Sequence, residues 1–179
     1  MPDDAHANLL ELAKAIAVEA GEAVLNVYDK GEFEAYQKDD ESPVTSADYL
    51  ANDIINKRLK AATPDIPILS EENKHASLEE RQHWERYWLI DPIDGTQEFI
   101  ARSGDFAVNI ALIENNQPTI GVIFWPPGQS LYFAQKGKGA YKSSPDGEQR
   151  IRVRKLDDPS ESVVMIAISR RQSREKVLS

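Results

Sequence analysis

The spacing of apolar residues changes once along the chain, and this change constrains the fold more than any other feature. Before Pro64, apolar residues recur at three- and four-residue steps, which is the spacing of one face of an α-helix. After Pro64 they fall in short runs separated by turn-forming residues, which is typical of β-strands. The order predicts an α+β fold, with two N-terminal helices packed on one face of an antiparallel sheet.

The helical part divides into two predicted helices. The first ends at Gly31, and its apolar stripe comprises Leu9, Leu12, Ala13, Ile16, Ala20, Ala23, Val24 and Val27. The polar segment 33–44 is expected to form an exposed loop or a short irregular hairpin. Thr45 or Ser46 can cap the second helix, which Pro64 prevents from continuing. The buried side of this helix is expected to carry Leu50, Ile54, Ile55 and Leu59.

The strand part begins with two apolar runs, 66–69 and 87–90, each of which ends at carboxylates. An acidic stretch between them, Leu78 to Trp84, is expected to be helical. Four further strands are predicted in an antiparallel meander, at 106–113, 119–125, 130–135 and 151–154. A last strand candidate, 163–168, follows a break in the pattern. We therefore expect a metal-binding domain over 1–157 and, over 158–179, the start of a C-terminal α/β domain that is largely missing.

Composition excludes several classes of function. Acidic residues outnumber basic ones by 30 to 21, and the resulting net charge of -9 argues against binding to nucleic acid or to an anionic membrane surface. The absence of cysteine excludes a thiolate nucleophile and disulfides, which suits the cytoplasm. No segment approaches the roughly 20 apolar residues that a membrane span requires. We expect a cytoplasmic protein, with peripheral attachment to the inner membrane's cytoplasmic face left open.

The acidic residues after the second apolar run form a candidate metal site. In Asp91-Pro92-Ile93-Asp94-Gly95-Thr96, proline fixes one backbone angle and glycine permits a conformation that other residues resist. Both aspartates and the Ile93 carbonyl could then face one point, and oxygen ligands are those that Mg²⁺ prefers. Thr96 is expected to cap a short helix, whose first N–H groups could hold a phosphate oxygen.

An ordinary surface turn would use the same residue types as this segment. A second acidic strand end, Ser70-Glu71-Glu72, lies upstream of it. Two acidic strand ends that could meet favour a metal site over two unrelated turns.

Three blocks in order, Ser42-Pro-Val-Thr-Ser-Ala-Asp48, Ser70-Glu-Glu72 and Asp91-Pro-Ile-Asp-Gly-Thr96, resemble the inositol monophosphatase superfamily. The segments 68–72, 81–84, 87–90, 97–100 and 108–113 are similar to its CysQ-type branch, the 3'(2'),5'-bisphosphate nucleotidases. The resemblance implies the layered sugar-phosphatase fold. It also implies hydrolysis of adenosine 3',5'-bisphosphate to AMP and phosphate, with a small phosphate ester as the partner molecule. Two alternatives stay open, an inositol monophosphatase and a non-catalytic metal-binding fragment.

The resemblance also assigns roles to residues. One Mg²⁺ would be bound by Glu71, Asp91 and the Ile93 carbonyl, and a second by Asp91 and Asp94, with two or three ions in the complete enzyme. The attacking water would lie on a metal near Glu71, and Thr96 would complete its hydrogen bonds. Asp48 would assist either Thr96 or the water. The substrate phosphate would contact the group formed by Glu71, Ile93, Asp94, Gly95 and Thr96.

Several of these residues have a second interpretation. Asp48 would also be favourable at a helix start through the helix dipole alone. Glu72 is either an outer metal-site residue or a solvated carboxylate, and Lys38 either approaches the metal loop or is an ordinary exposed lysine. Ser169 and Arg170 match a pattern near the substrate's second phosphate or nucleoside, although the two residues after them depart from it; a basic surface turn is the alternative.

One family feature is missing from the sequence. The family completes its second metal site with an aspartate in a Trp-Asp motif, and none of the three tryptophans here is followed by aspartate. We therefore expect a fragment that is weakly active or inactive by itself. The family commonly pairs its subunits, so the resemblance leaves a homodimer open.

Overall fold

The computed structural model describes residues 2–38, 42–73 and 76–153. The two predicted helices are confirmed: α1 spans Pro2–Lys30 and α2 spans Ser46–Ala62. Helix α1 ends at Gly31, where φ is +69°, a conformation that glycine adopts without steric cost. Thr45 caps α2, and its hydroxyl accepts a hydrogen bond from the Ala47 N–H at 3.2 Å.

The segment between the helices forms the short hairpin that the sequence left open. Its strands, β1 (Ala35–Gln37) and β2 (Pro43–Thr45), pair antiparallel. Seven further strands form one sheet in sequence order. They are β3 (Ile68–Ser70), β4 (Arg86–Asp94), β5 (Ala107–Glu114), β6 (Gln117–Trp125), β7 (Ser130–Gln135), β8 (Gly139–Ser144) and β9 (Gly147–Ile151).

The sheet differs from a purely antiparallel one at its first strand, because β3 pairs parallel to β4. The connection between these strands carries α3 (Leu78–Arg81), which is shorter than the predicted helix over 78–84. A connection of this length returns the chain to the start of the sheet, so the two strands run the same way. All later pairings, from β4 to β9, are antiparallel, as the meander predicted.

The last hairpin was placed wrongly from the sequence. Strand β8 was missed because all its residues are half-buried and it has no apolar run. Strand β9 ends at Ile151, where the predicted strand 151–154 begins. The turn that joins the two strands is formed by Pro145 and Asp146, residue types that are common in turns.

The core lies between the two helices and one face of the sheet. Helix α1 packs on β5, β6 and β7, while α2 packs on α1 and β4. Alanines at positions 13, 17 and 20 let α1 approach closely, and a Cβ added at Gly21 would lie 2.3 Å from the Phe124 ring. Trp88 is fully buried, and its indole N–H donates to the Thr63 hydroxyl at 3.0 Å. The opposite face of the sheet leaves Leu89 and Ile123 exposed.

Within the described ranges, no helix is both long and apolar enough to cross a membrane. The strand predicted at 163–168, the expected second domain, Ser169 and Arg170 all lie outside the described residues.

Candidate active site

The two acidic strand ends lie at the same edge of the sheet. Parallel strands present their carboxyl ends at one edge, and the register pairs Ser70 with Ile90, so Glu71 and Asp91 emerge side by side. The Glu71 N–H donates to the Ile90 carbonyl at 3.2 Å and extends the pairing by one step. A cleft of about 300 Å³ opens here, lined by Ser42, Pro43, Glu71, Asp91, Ile93, Asp94, Gly95, Thr96, Gln97 and Glu98.

The segment 91–96 is an irregular strand end followed by a sharp reversal. Strand β4 continues through Asp94, with a register shift between Asp91 and Asp94 that turns both side chains toward the cleft. At Gly95 φ is +94°, and an added Cβ would lie 2.7 Å from the Asp105 carbonyl oxygen. Both facts require glycine at this position.

The short helix α4 (Thr96–Ile100) begins directly after this reversal. Gly95, not Thr96, occupies its N-cap position, so the expectation that Thr96 caps the helix is wrong. Because the backbone already turns at Gly95, Thr96 becomes the first helical residue and its hydroxyl is available for other contacts. Phe99 anchors the helix in the core and is fully buried.

The Thr96 hydroxyl joins the acidic loop to α2. Its Oγ1 lies 3.0 Å from Asp48 Oδ1 and 3.1 Å from the Ile93 carbonyl oxygen, and its single proton can be donated to either. The other Asp48 oxygen, Oδ2, accepts from the Thr45 N–H at 2.8 Å and from the Thr45 hydroxyl at 2.5 Å. Asp48 thus completes a capping box at the start of α2 and also holds Thr96.

Burial raises the pKa of Asp48, and the hydrogen bonds from Thr45 and Thr96 oppose that rise. Asp48 is almost fully buried and lies in the first turn of α2, where a carboxylate is also favourable through the helix dipole.

Lys38 reaches the acidic site from the segment after β1. Its ammonium donates to Glu71 at 2.9 Å and to Glu72 at 2.6 Å. The Glu72 side chain is only 4% exposed and that of Lys38 only 22%, so neither is an ordinary solvated surface group. Burial raises the pKa of Glu72, against the effect of Lys38. Burial lowers the pKa of Lys38, but its two carboxylate partners outweigh this and raise it.

Among the carboxylates of the site, Asp91 is the one whose charged form is most destabilised. Its Oδ1 is buried and has no hydrogen-bond partner. Burial raises its pKa to about 7, and the negative charges of Glu71, Asp94, Asp48 and Glu72 add to the rise. Repulsion among these carboxylates and an orphaned buried oxygen are both relieved by a bound cation. The donor set, carboxylates with the Ile93 carbonyl, fits a hard ion such as Mg²⁺.

The side chains are not arranged as a closed metal cage. In the described part of the chain, no three His, Asp or Glu side chains lie close enough to enclose an ion as they stand. Glu71 instead pairs with Lys38, whose ammonium takes the place of a cation beside that carboxylate. This ion pair engages Oε1 of the Glu71 carboxylate.

Comparison with known proteins places the chain in a family. The inositol monophosphatase family matches residues 5–178, nearly the whole chain. The chain belongs to the inositol monophosphatase family. This match confirms the resemblance seen in the sequence blocks. The predicted fold, with two helices packed on a sheet, is confirmed as well.

Relatives of the chain within the inositol monophosphatase family include CysQ proteins. It is 46% identical over 163 residues to "3'(2'),5'-bisphosphate nucleotidase CysQ" of Salmonella typhimurium, covering 90% of this chain. It is 43% identical over 172 residues to the protein of that name from Aggregatibacter actinomycetemcomitans, covering 96% of this chain. The chain spans 63% of the length of each of these two relatives.

Among solved structures, CysQ from Bacteroides thetaiotaomicron, described as a bacterial member of the inositol monophosphatase family, resembles this fold with a TM-score of 0.71. The sequence identity is 36%, and the match covers 84% of this chain and 60% of that one.

Sequence reasoning missed one residue at this site of the inositol monophosphatase fold. Asn109 lies opposite Asp91 in the β4–β5 pairing, and its Nδ2 donates to Asp94 Oδ2 at 3.1 Å. Its Oδ1 is buried without a partner. The available signal was a lone amide inside the otherwise apolar strand 107–113, which indicates a polar neighbour across the sheet.

Proposed function

We propose that the protein is a Mg²⁺-dependent phosphomonoesterase that converts adenosine 3',5'-bisphosphate to AMP and inorganic phosphate. The observation that carries the proposal is Asp91, a half-buried carboxylate with one buried, orphaned oxygen among four further carboxylates, at the edge where two strands end. Membership of the family and the names of the CysQ relatives support the choice of a nucleotide bisphosphate.

The proposed ligands follow the side chains that line the cleft. Glu71, Asp91 and the Ile93 carbonyl would hold one ion, and Asp91 with Asp94 would hold a second. When bound, Mg²⁺ would lower the pKa of a water molecule and neutralise charge on the phosphate. Asn109 would keep Asp94 oriented through its 3.1 Å hydrogen bond.

Thr96 and Asp48 are proposed to move the proton of the attacking water. The water oxygen would form a bond to phosphorus as the bond from phosphorus to the 3'-oxygen breaks. The water proton would pass to Thr96 Oγ1 while the Thr96 proton passes to Asp48 Oδ1, 3.0 Å away. The 3'-oxygen would take a proton from solvent.

The substrate phosphate is proposed to lie against Gly95 and Thr96 at the start of α4, within the same cleft. Ser169 and Arg170 are proposed to approach the second phosphate or the nucleoside. Arginine suits that role because its guanidinium can donate two parallel hydrogen bonds to a phosphate.

The chain is proposed to supply part of a larger catalytic machinery, which would also contain the second ion's missing ligand. The curated relatives are longer than this chain. In addition, an apolar cavity of about 570 Å³ lies beside Glu71 and Asp91 on the exposed sheet face, where Leu89 and Ile123 would suit further packing.

The test is phosphate release from adenosine 3',5'-bisphosphate and from inositol 1-phosphate, with Mg²⁺ or with a chelator. Both the 179-residue chain and the product of its complete reading frame should be assayed. For the product of the complete reading frame, we expect Mg²⁺-dependent release that prefers the nucleotide and is lost in Asp91→Asn. For the 179-residue chain alone, we expect weak release or none. Strong preference for the inositol ester would contradict the substrate, and release unaffected by chelation would contradict the metal.

A further inference from the structure

Helix α2 carries two further buried polar side chains after Asp48, one and two turns along the helix. Asn52 is 6% exposed and Asn56 is 8% exposed. Together with Asp48 they occupy successive positions four residues apart, so the three side chains form one row along the helix. A buried amide costs free energy unless it is hydrogen-bonded, so the partners of this row indicate why it is polar.

Asn52 is the centre of a hydrogen-bond network. Its Oδ1 accepts from the Ser70 hydroxyl at 2.7 Å and from Asn56 Nδ2 at 2.8 Å. Its Nδ2 donates to Asn73 Oδ1 at 2.9 Å. Asn56 Oδ1 in turn accepts from Asn73 Nδ2 at 3.0 Å. Both ends of the Asn73 amide are therefore held by α2.

The two outer partners of the network bracket the acidic turn. Ser70 precedes Glu71 and Asn73 follows Glu72, and the turn is closed by the Asn73 N–H, which donates to the Ser70 carbonyl at 3.3 Å. The Ser70 hydroxyl also accepts from the Glu72 N–H at 3.3 Å. The backbone that carries both carboxylates is thus attached at each end to one helix.

The same helix holds the other acidic loop through the bond between Asp48 and Thr96. The adjoining face of α2 is anchored in the core by Ala51, Ile55 and Leu59, all fully buried. A rigid helix that contacts both loops can fix the distance between Glu71 and Asp91, which belong to different strands.

We propose that Asn52, with Asn56 and Asn73, is a positioning device that sets the Glu71 turn for cation binding. The inference rests on the proposed metal-dependent function. Residues that orient metal ligands commonly change metal affinity by about 10–100-fold when they are removed. A network that only stabilised the packing of α2 would lower stability without affecting the folded protein's affinity for the ion.

The experiment measures Mn²⁺ binding by loss of the free-ion electron paramagnetic resonance signal, because Mn²⁺ is a hard ion that can replace Mg²⁺ as a probe. Wild type, Asn52→Ala and Ile55→Val are titrated at a temperature where all three are folded by circular dichroism. Ile55→Val is the matched control, because it weakens the packing of the same helix without touching the network. We expect about tenfold weaker binding in Asn52→Ala and a change of less than about twofold in Ile55→Val.

A double-mutant cycle tests whether the effect passes through Glu71. In a Glu71→Gln background, residual binding through Asp91 and Asp94 should be insensitive to Asn52→Ala. Equal affinities for Asn52→Ala and Ile55→Val, or an undiminished effect of Asn52→Ala in the Glu71→Gln background, would overturn the inference. If Asn52→Ala does not fold, Asn73→Ala removes the same link from the turn side.

Failure of the proposed function looks different in the same titrations. Wild type and Glu71→Gln would then bind Mn²⁺ equally, and both the metal site and its positioning device would be rejected. If wild type binds more tightly than Glu71→Gln, the metal site stands and the Asn52 comparison alone decides the inference.

Discussion

Asp48 Oδ1 lies 3.0 Å from Thr96 Oγ1, so the first turn of α2 is joined to the first residue of α4 across the candidate site. The same carboxylate closes the capping box with Thr45. One buried side chain therefore stabilises a helix start and places a hydroxyl beside the acidic loop.

The Thr96 hydroxyl should matter for turnover more than for substrate binding. We expect Thr96→Val to lower kcat by about 100-fold or more, because it breaks the proposed proton path to Asp48. KM should change little. Thr96→Ser keeps the hydroxyl and serves as the control, and steady-state phosphate release measures both. A kcat for Thr96→Val within twofold of that for Thr96→Ser would contradict the proton path.

Asp91 should make the metal-free protein less stable as pH rises. Its pKa in the fold is raised to about 7, so its protonated form favours the fold below pH 4 and this contribution is lost as pH rises through 7. We expect Asp91→Asn to stabilise the metal-free protein at pH 8 by about 1 kcal/mol, a value reduced for partial solvent screening. Urea unfolding with a chelator, at pH 5 and pH 8, measures the difference.

Excess Mg²⁺ should make wild type more stable than Asp91→Asn, the reverse of their order without metal. A ligand that binds only the folded state stabilises it, so excess Mg²⁺ at pH 8 should stabilise wild type by more than Asp91→Asn. Asp48 and Glu72, whose pKa values are also raised, remain in the variant, so part of the pH dependence persists. Equal stabilisation of both proteins by Mg²⁺ would show that Asp91 does not bind the ion.

Lys38 should compete with the metal for Glu71. Lys38→Met leaves the buried Glu72 without its partner, so we expect lower stability in the absence of metal. It also releases Glu71, so Mg²⁺ affinity should rise by a few-fold. Lys57→Met, at an exposed lysine on α2, is the charge-matched control. Isothermal titration with Mg²⁺ checks the affinity, and weaker binding in Lys38→Met would show that the lysine supports the ion.

Gly95 should tolerate no side chain. Gly95→Ala adds a Cβ 2.7 Å from the Asp105 carbonyl oxygen at a φ of +94°, so it carries both a clash and backbone strain. We expect a loss of about 3 kcal/mol in the free energy of unfolding. Gly137→Ala is matched for backbone conformation, with φ at +80° and no atom within 4 Å of the added Cβ, and should cost only about 1 kcal/mol. If urea unfolding shows equal losses of free energy for the two variants, the clash at Gly95 does not contribute to the loss.

The sequence by itself determined the elements with strong local signals. Two apolar stripes at helical spacing predicted α1 and α2. Gly31 predicted where the first helix ends, and Thr45 or Ser46 predicted where the second begins. The blocks at 70–72 and 91–96 indicated a metal site, because two acidic strand ends that could meet are less expected from unrelated turns. Together with the block at 42–48, they resemble the family. Strand β8 gave no such signal, because it has no apolar run and all its residues are half-buried. Its place depends on pairing with β7.

Only the tertiary structure decided how the site is assembled. The parallel pairing of β3 with β4 sets Glu71 beside Asp91, and this direction depends on a connection whose path no local pattern specifies. Lys38, Asn52 and Asn109 reach the acidic loops from three separate elements. Their side chains are individually common on surfaces or in strands. Their partners are set by contacts between residues far apart in the chain, and periodicity carries no information about such contacts.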